Sequence, residues 1–174
     1  MALDIDKIEI TTDPECKFFL REAYSYGMRN SDDPDSKTGV LILNNDSLYK
    51  VYGANRLPNG VEKTPERLKR PEIYKWIRHA ERDAITKSAK AGYSLENAIM
   101  YLPWFPCNVC AQDIEGAGIK QVIGHKEMIE RGNGDGYGFE EAYSILEESG
   151  ILMLMYDGKI GNIESKFRGK IWNP

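Results

Sequence analysis

Three cysteines are too few, and odd in number, to staple a chain of 174 residues with disulfides. At this length, close to that of one ordinary domain, a sizeable core makes staples unnecessary. Residues 1–174 are therefore expected to form a single domain, with 156–174 as a C-terminal extension. Long apolar runs are absent, and residues 1–12 alternate acidic and apolar side chains without a positively charged start, so neither a membrane span nor a secretory signal is expected. An excess of positive charge is lacking too, since 27 acidic side chains face 23 basic ones for a net charge of −4. That disfavours a sequence-independent grip on nucleic acid, which leaves a basic stripe as its footprint, and favours a small-molecule partner. No internal repeat or low-complexity segment occurs. Cys107 and Cys110 lie close together, which leaves Cys16 alone as a core residue; an unpaired set of this kind fits the cytosol.

Residues 14–29 follow a Thr-Asp-Pro start signal and put Phe18, Phe19, Glu22 and Tyr26 at helical spacing, which predicts a helix packed on a sheet. Polar turn chemistry fills 30–37. The apolar runs 38–43 and 48–52, split by Asn44-Asn45-Asp46-Ser47, predict a β-hairpin. Residues 53–60 read as a rigid loop, and 61–78, with six cations against three acids, as a solvated surface. Ala80, Ala84, Ile85, Ser88 and Ala89 recur at helical spacing up to Gly92, so a helix begins near His79. A strand over 98–102, a helix over 107–117, a strand over 119–124, a helix over 139–148 and a strand over 151–155 complete the alternation. Such an order argues for α/β layers with a mostly parallel second half after the opening hairpin. Residues 156–174 are too polar to place and stand open between a lid, a short hairpin and an oligomer contact.

His79-Ala80-Glu81 and Pro106-Cys107-Asn108-Val109-Cys110 carry the chemistry. One imidazole and two thiolates are three good ligands for Zn2+, and three protein ligands leave a fourth position open, as in catalytic sites. Cys107 and Cys110, three apart at a helix start, share one face, where the helix dipole favours thiolate. His79 and Glu81, two apart, are turned by about 200° on a helix, so both reach one point only if the helix aims its first turn at it. Two helix N-termini are therefore expected to meet around the metal, at the ends of strands. Zinc can bring the pKa of a water to roughly 7, and Glu81, not a ligand, is the expected proton carrier. H-x-E followed by P-C-x-x-C is the general signature of zinc nucleobase deaminases. A structural zinc site would need a fourth Cys or His, but Cys16 lies far upstream and His125 reads as a strand-end or surface histidine.

At these residues the chain resembles the cytidine and deoxycytidylate deaminase family. His-Ala-Glu-Arg-Asp-Ala-Ile at 79–85, Tyr-Leu-Pro-Trp-Phe-Pro-Cys-Asn-Val-Cys-Ala at 101–111 and Gly-Ala-Gly-Ile-Lys-Gln-Val at 116–122 carry the resemblance. Upstream, residues 31–40 are similar to the family's S-K-D-P-x-S-x-V-G-A loop and residues 53–60 to its G-Y-N-G-x-P-x-G. The resemblance runs from about residue 15 to 155 and implies a three-layer α/β/α fold with a five-stranded mixed sheet, in a homo-oligomer, dimer or hexamer. It further implies zinc on His79, Cys107 and Cys110, a proton shuttle at Glu81, the base O2 held by the N–H of Ala80, and the sugar contacted by Asn55. Ser31 and Lys37 are the implied phosphate contacts, unless theirs is a solvated turn, and Tyr137 stacks on the base or serves in packing.

The reaction so implied is hydrolytic deamination of dCMP to dUMP, with dCTP activation and dTTP inhibition open. Deamination of CMP, of dCTP or of a nucleic-acid base, and a silent zinc-stabilised binding module, are the alternatives. The acidic balance and Trp104-Phe105-Pro106-Cys107, in place of the L-E-P-C of tRNA adenosine deaminases, count against a nucleic acid. A histidine at 79, where free cytidine deaminases of the main class have cysteine, counts against those, and Glu81 against a silent module. Asp83 stands where the family usually has Asn, so either it points away from the phosphate site or the substrate preference differs. Gly132-Asn133-Gly134-Asp135-Gly136 lacks the strand–helix context of a nucleotide loop.

Overall fold

Successive residues of a strand face opposite ways, and here both faces are apolar, which demands a helix layer on each side of the sheet. The computed structural model describes residues 2–44, 49–134 and 136–174. In chain order it contains β1 (Glu9–Thr11), α1 (Pro14–Asn30), β2 (Gly39–Asn44), β3 (Tyr49–Ala54), α2 (Pro65–Leu68), α3 (Ala80–Ala91), β4 (Ile99–Tyr101) and α4 (Asn108–Gly116). There follow β5 (Gln121–His125), α5 (Lys126–Gly132), α6 (Phe139–Glu148), β6 (Leu152–Tyr156), β7 (Ser165–Phe167) and β8 (Lys170–Trp172). Of the expected hairpin turn, Asn44 closes β2 instead, while residues 45–47 and Leu48 lie outside the described residues, as does Asp135 of the Gly-rich loop.

The main sheet has the order β1-β6-β5-β4-β2-β3. β4, β5, β6 and β1 run parallel, and the β2–β3 hairpin joins antiparallel through β2. The sheet is mixed as expected, but with six strands among the described residues rather than five, because residues 9–11 add a parallel edge strand in the register Ile10↔Met155. Three residues are too few to show a period of two in sequence. Leu41, Tyr101, Ile123 and Tyr156 pack under α1 with Phe19, Leu20, Ala23 and Tyr24. Val40, Ile42, Met100, Val122 and Met155 face the other way, against Ala80 and Ala84 of α3, Ala111 and Ile114 of α4, and Ala142 and Leu146 of α6. The three-layer arrangement follows directly. α1 is held at its start by Pro14 and by Asp13, whose side chain accepts from the Glu15 N–H at 2.8 Å.

Residues 165–172 resolve the open C-terminus: they form the antiparallel β7–β8 hairpin. Arg168 and Gly169 at its tip take φ of 50° and 78°, the backbone of a tight two-residue hairpin turn. The hairpin is sewn to the loop before β2 by Lys37 N–H to Lys166 O at 2.9 Å, Gly169 N–H to Asp35 O at 2.9 Å and Arg168 N–H to Ser36 Oγ at 3.3 Å. Trp172 stacks on His125, with ring centroids 6.4 Å apart and planes 6° from parallel.

His125 ends a strand, as expected, yet is fully buried rather than on the surface. Its Nε2–H donates to Gly158 O at 3.0 Å and its Nδ1 accepts from the Tyr24 hydroxyl at 2.8 Å, which together hold one neutral tautomer. Burial pushes its pKa below the ordinary 6.5. The unfolded chain therefore takes up a proton that the folded chain refuses, so stability is complete above about pH 6.5 and falls as the pH drops below it. Urea unfolding followed between pH 7 and 5.5 is expected to show this loss, and His125→Gln to flatten it.

One close contact sets the position of α3. A Cβ at Gly53 of β3 would lie 2.0 Å from Ala80 O and 2.7 Å from Ala84 N, so the first turn of α3 rests directly on the strand backbone. Gly53→Ala is expected to lower stability in urea by about 1–3 kcal/mol, the usual cost of overpacking.

Candidate metal centre and catalytic pocket

β3 and β4 end on the same side of the sheet, and each is followed by a segment that leads into a helix. His79 is the N-cap of α3 and Cys107 the N-cap of α4, both in extended backbone. The two helix N-termini thus meet, as the spacing of His79 and Glu81 required. His79 Nδ1 lies 3.6 Å from Cys107 Sγ and 3.5 Å from Cys110 Sγ, and the three ligand atoms fall within 4.8 Å of one another. A tetrahedral zinc bonded at about 2.3 Å to sulfur and 2.0–2.1 Å to nitrogen requires N to S separations of roughly 3.6 Å, so the donor set fits this ion. Among the described residues this is the group of His, Cys, Asp or Glu side chains that could hold a metal.

Cys107 is the thiolate of the pair. The hydrogen bond from the Cys110 thiol, helped by His79, holds it down to about 4, although burial works in the opposite direction. Cys110 keeps its proton, because the Cys107 sulfur accepts it and burial penalises a second charge. The hydrogen bond with Cys107 raises His79. Glu81 is almost fully buried, 5 % exposed, and desolvation raises its pKa, so it is poised to take up a proton.

Glu81, His79 and Cys107 line a cavity together with Asn55. Leu102, Trp104, Phe105, Tyr137 and Phe139 form an apolar wall. Within it Tyr137 stacks on Phe139 at 5.9 Å and meets Trp104 edge-on at 5.4 Å. Arg70, Ile73, Tyr74 and Ile77 line it too, with Asp33, Ser36 and Thr38.

The expected substrate residues divide. Asn55, Tyr137 and Glu81 come together at the cavity. The Ala80 N–H, expected to hold a base oxygen, donates instead to Asn55 Oδ1 at 3.0 Å, so these two bind each other and Asn55 presents its amide Nδ2 as the remaining donor. Ser31 and Lys37 are turned elsewhere: Lys37 Nζ donates to Ser31 O at 2.8 Å, and neither residue lines the cavity. Ser31 caps the end of α1, and its buried hydroxyl serves the turn, donating to Ser36 O and accepting from the Asp33 N–H. Asp83 points away as well, accepting from Ala54 N–H at 3.2 Å and Lys87 Nζ at 2.6 Å; it ties α3 to β3 and places no charge in the pocket.

The segment over 61–78 is not merely a solvated surface. Ile73 is fully buried, and Arg70, Ile73, Tyr74 and Ile77 supply a wall of the pocket. The apolar spacing of Ile73 and Ile77 was the available signal, diluted by six surrounding cations.

Residues 14–126 match the family model of the cytidine and deoxycytidylate deaminase zinc-binding region. The chain belongs to the cytidine and deoxycytidylate deaminase family. Deoxycytidylate deaminase of Homo sapiens is 35% identical over 114 residues, which cover 62% of this chain and 62% of that protein. The probable deoxycytidylate deaminase of Caenorhabditis elegans is 34% identical over 108 residues, 60% of this chain and 53% of that protein. The chain thus spans between about half and a little under two thirds of the length of these family members. The dCMP deaminase of cyanophage S-TIM5 in apo form superposes with a TM-score of 0.59 at 22% identity, covering 82% of this chain and 98% of that one, which bears on the fold alone. Zn2+ is the cofactor of this family's matched region, and the His, Cys, Cys group described above suits it.

Purified protein is expected to carry about one zinc per chain. Cys110→Ala is expected to lose most of it by elemental analysis, and exhaustive chelation to lower the melting temperature.

Proposed function

We propose that this deaminase-family chain hydrolyses dCMP to dUMP and ammonia. The observation that carries the reading is the convergence of buried Glu81 with His79, Cys107 and Cys110 at an aromatic-walled cavity that also holds Asn55. His79, Cys107 and Cys110 are the zinc ligands in this reading. Zinc held there supplies Lewis acidity that lowers the pKa of a water to about 7.

The chain's own residues do the rest. Glu81 takes the proton of the attacking water, hands it to ring N3, and then carries a proton to the departing 4-amino group. Desolvation raises its pKa above the ordinary carboxylate value, which favours its taking up the proton it must then pass on. Trp104, Phe105 and Tyr137 give the flat base an apolar slot that excludes bulk water. Asn55, its carbonyl engaged by Ala80, offers Nδ2 to the 3′-hydroxyl of the sugar.

A cytosolic homo-oligomer, dimer or hexamer, belongs to the same proposal, supported by three free cysteines and by exposed apolar side chains such as Val109 and Leu152. No helix among the described residues is long and apolar enough to cross a membrane.

Ammonia release and the loss of cytosine absorbance, measured in parallel on dCMP, CMP, deoxycytidine and dCTP, test the substrate. dCMP is expected to be turned over best, and preference for another of the four would sink the assignment. Glu81→Gln is expected to keep its zinc and fold while kcat falls by about a thousandfold, the scale of general acid–base catalysis.

A further inference from the structure

Beside the catalytic cavity lies a second hollow of about 470 Å3. The two share Ser36, Arg70, Tyr74 and Tyr137, so the outer one is the vestibule of the inner. To these it adds Asp35 from the loop before β2, and Phe167 and Arg168 from the β7–β8 hairpin. Arg70 and Arg168 therefore both stand in its lining beside Asp35, in a chain whose net charge is −4. The backbone of Arg168 is held at this mouth by the three hydrogen bonds that sew the hairpin to residues 35–37.

Arg70 has two kinds of partner. Buried Asp33 accepts from it at 3.2 and 2.8 Å and also accepts the N–H groups of Asp35 and Ser36, which makes it a fixed support. Tyr74 Oη accepts from its Nε at 3.2 Å. Asp35, the other carboxylate on Arg70, has a side chain 47% exposed, and ion pairs open to water are weak and exchangeable.

We propose that this vestibule seats the 5′-phosphate of the substrate, gripped by Arg168 and Arg70, with Asp35 as the placeholder that Arg70 releases when the phosphate arrives. A phosphate monoester carries close to two charges and accepts paired N–H donors from guanidinium forks, so it outcompetes a single exposed carboxylate. Arg168 is then a specificity-determining residue that separates nucleotide from nucleoside, and it lies outside residues 14–126 matched by the family. The proposal rests on the dCMP reading for the base but makes a separate claim about the phosphate.

The test uses Arg168→Asn, since asparagine tolerates the left-handed backbone at this position, and Asp35→Asn. Steady-state kinetics on dCMP and deoxycytidine are combined with calorimetric binding of deoxyribose 5-phosphate, and a thermal melt confirms folding. Arg168→Asn is expected to raise KM for dCMP about tenfold, the scale of one charge-assisted hydrogen bond, with deoxycytidine unchanged and deoxyribose 5-phosphate bound correspondingly more weakly. Arg168→Lys is expected to recover part of the loss, and Asp35→Asn to lower KM for dCMP. Turnover of dCMP with Arg168→Asn unchanged on both substrates and on the sugar phosphate would overturn the seat and leave the reaction standing. Binding of deoxyribose 5-phosphate that depends on Arg168, without turnover of dCMP, would support the seat and overturn the reaction.

Discussion

The site depends on two helices being aimed at one point. Residues two apart cannot look sideways from a helix at the same atom, so His79 and Glu81 share a target only because α3 presents its N-terminal turn, with His79 just before it and Glu81 just within. α4 does the same with Cys107 and Cys110. The sheet makes this aim possible by ending β3 and β4 on one side. Gly53 lets the first turn of α3 lie against strand backbone, where any side chain would hold it off. Asp83 and Asn55 complete the placement through the N–H groups of Ala54 and Ala80. Polar residues near the site thus divide into those that face the cavity and those that hold the helix that faces it.

Burial performs two tasks with the same atoms. The apolar walls enclose one side of the cavity, and the burial of Glu81 beside it raises that carboxyl above its ordinary pKa. Thiolate character, in contrast, is concentrated on Cys107, which sits at the helix N-terminus and receives hydrogen bonds from the Cys110 thiol and backbone. A cation at this point would relieve Cys110 of its proton and bring both sulfurs into the ligand set. Away from the cavity, burial of His125 between Tyr24 and Trp172 joins the C-terminal hairpin to α1 and the sheet. The hairpin is therefore part of the fold around the pocket mouth, not a loose appendage.

The donor set was readable without coordinates, because ligand identity and spacing are local properties: His-x-Glu, then Cys-x-x-Cys, each at a helix start. The helices over 80–91, 108–116 and 139–148 were readable for the same reason, since periodic burial of one face leaves its trace in consecutive residues. The α/β layering and the parallel second half followed from element order alone. What sequence could not assign was which polar side chains face inward. Ser31 and Lys37 carry suitable chemistry but satisfy each other's loop, and Asp83 carries an unsuitable charge but turns its back on the pocket.

The wall built by residues 70–77 and the vestibule completed by Arg168 were decided only in three dimensions. Their residues come from a cation-rich stretch and from a polar tail, where composition resembles any solvated surface, and they meet through contacts between segments about a hundred positions apart. Local patterns record what each element needs to fold: capping, periodicity and ligand spacing. They carry no record of which distant segment an exposed arginine will meet, because that is set by the packing of the sheet and by backbone hydrogen bonds between loops. Chemistry at the metal was thus determined by the sequence by itself, and the shape and charge of the opening that leads to it by the tertiary structure.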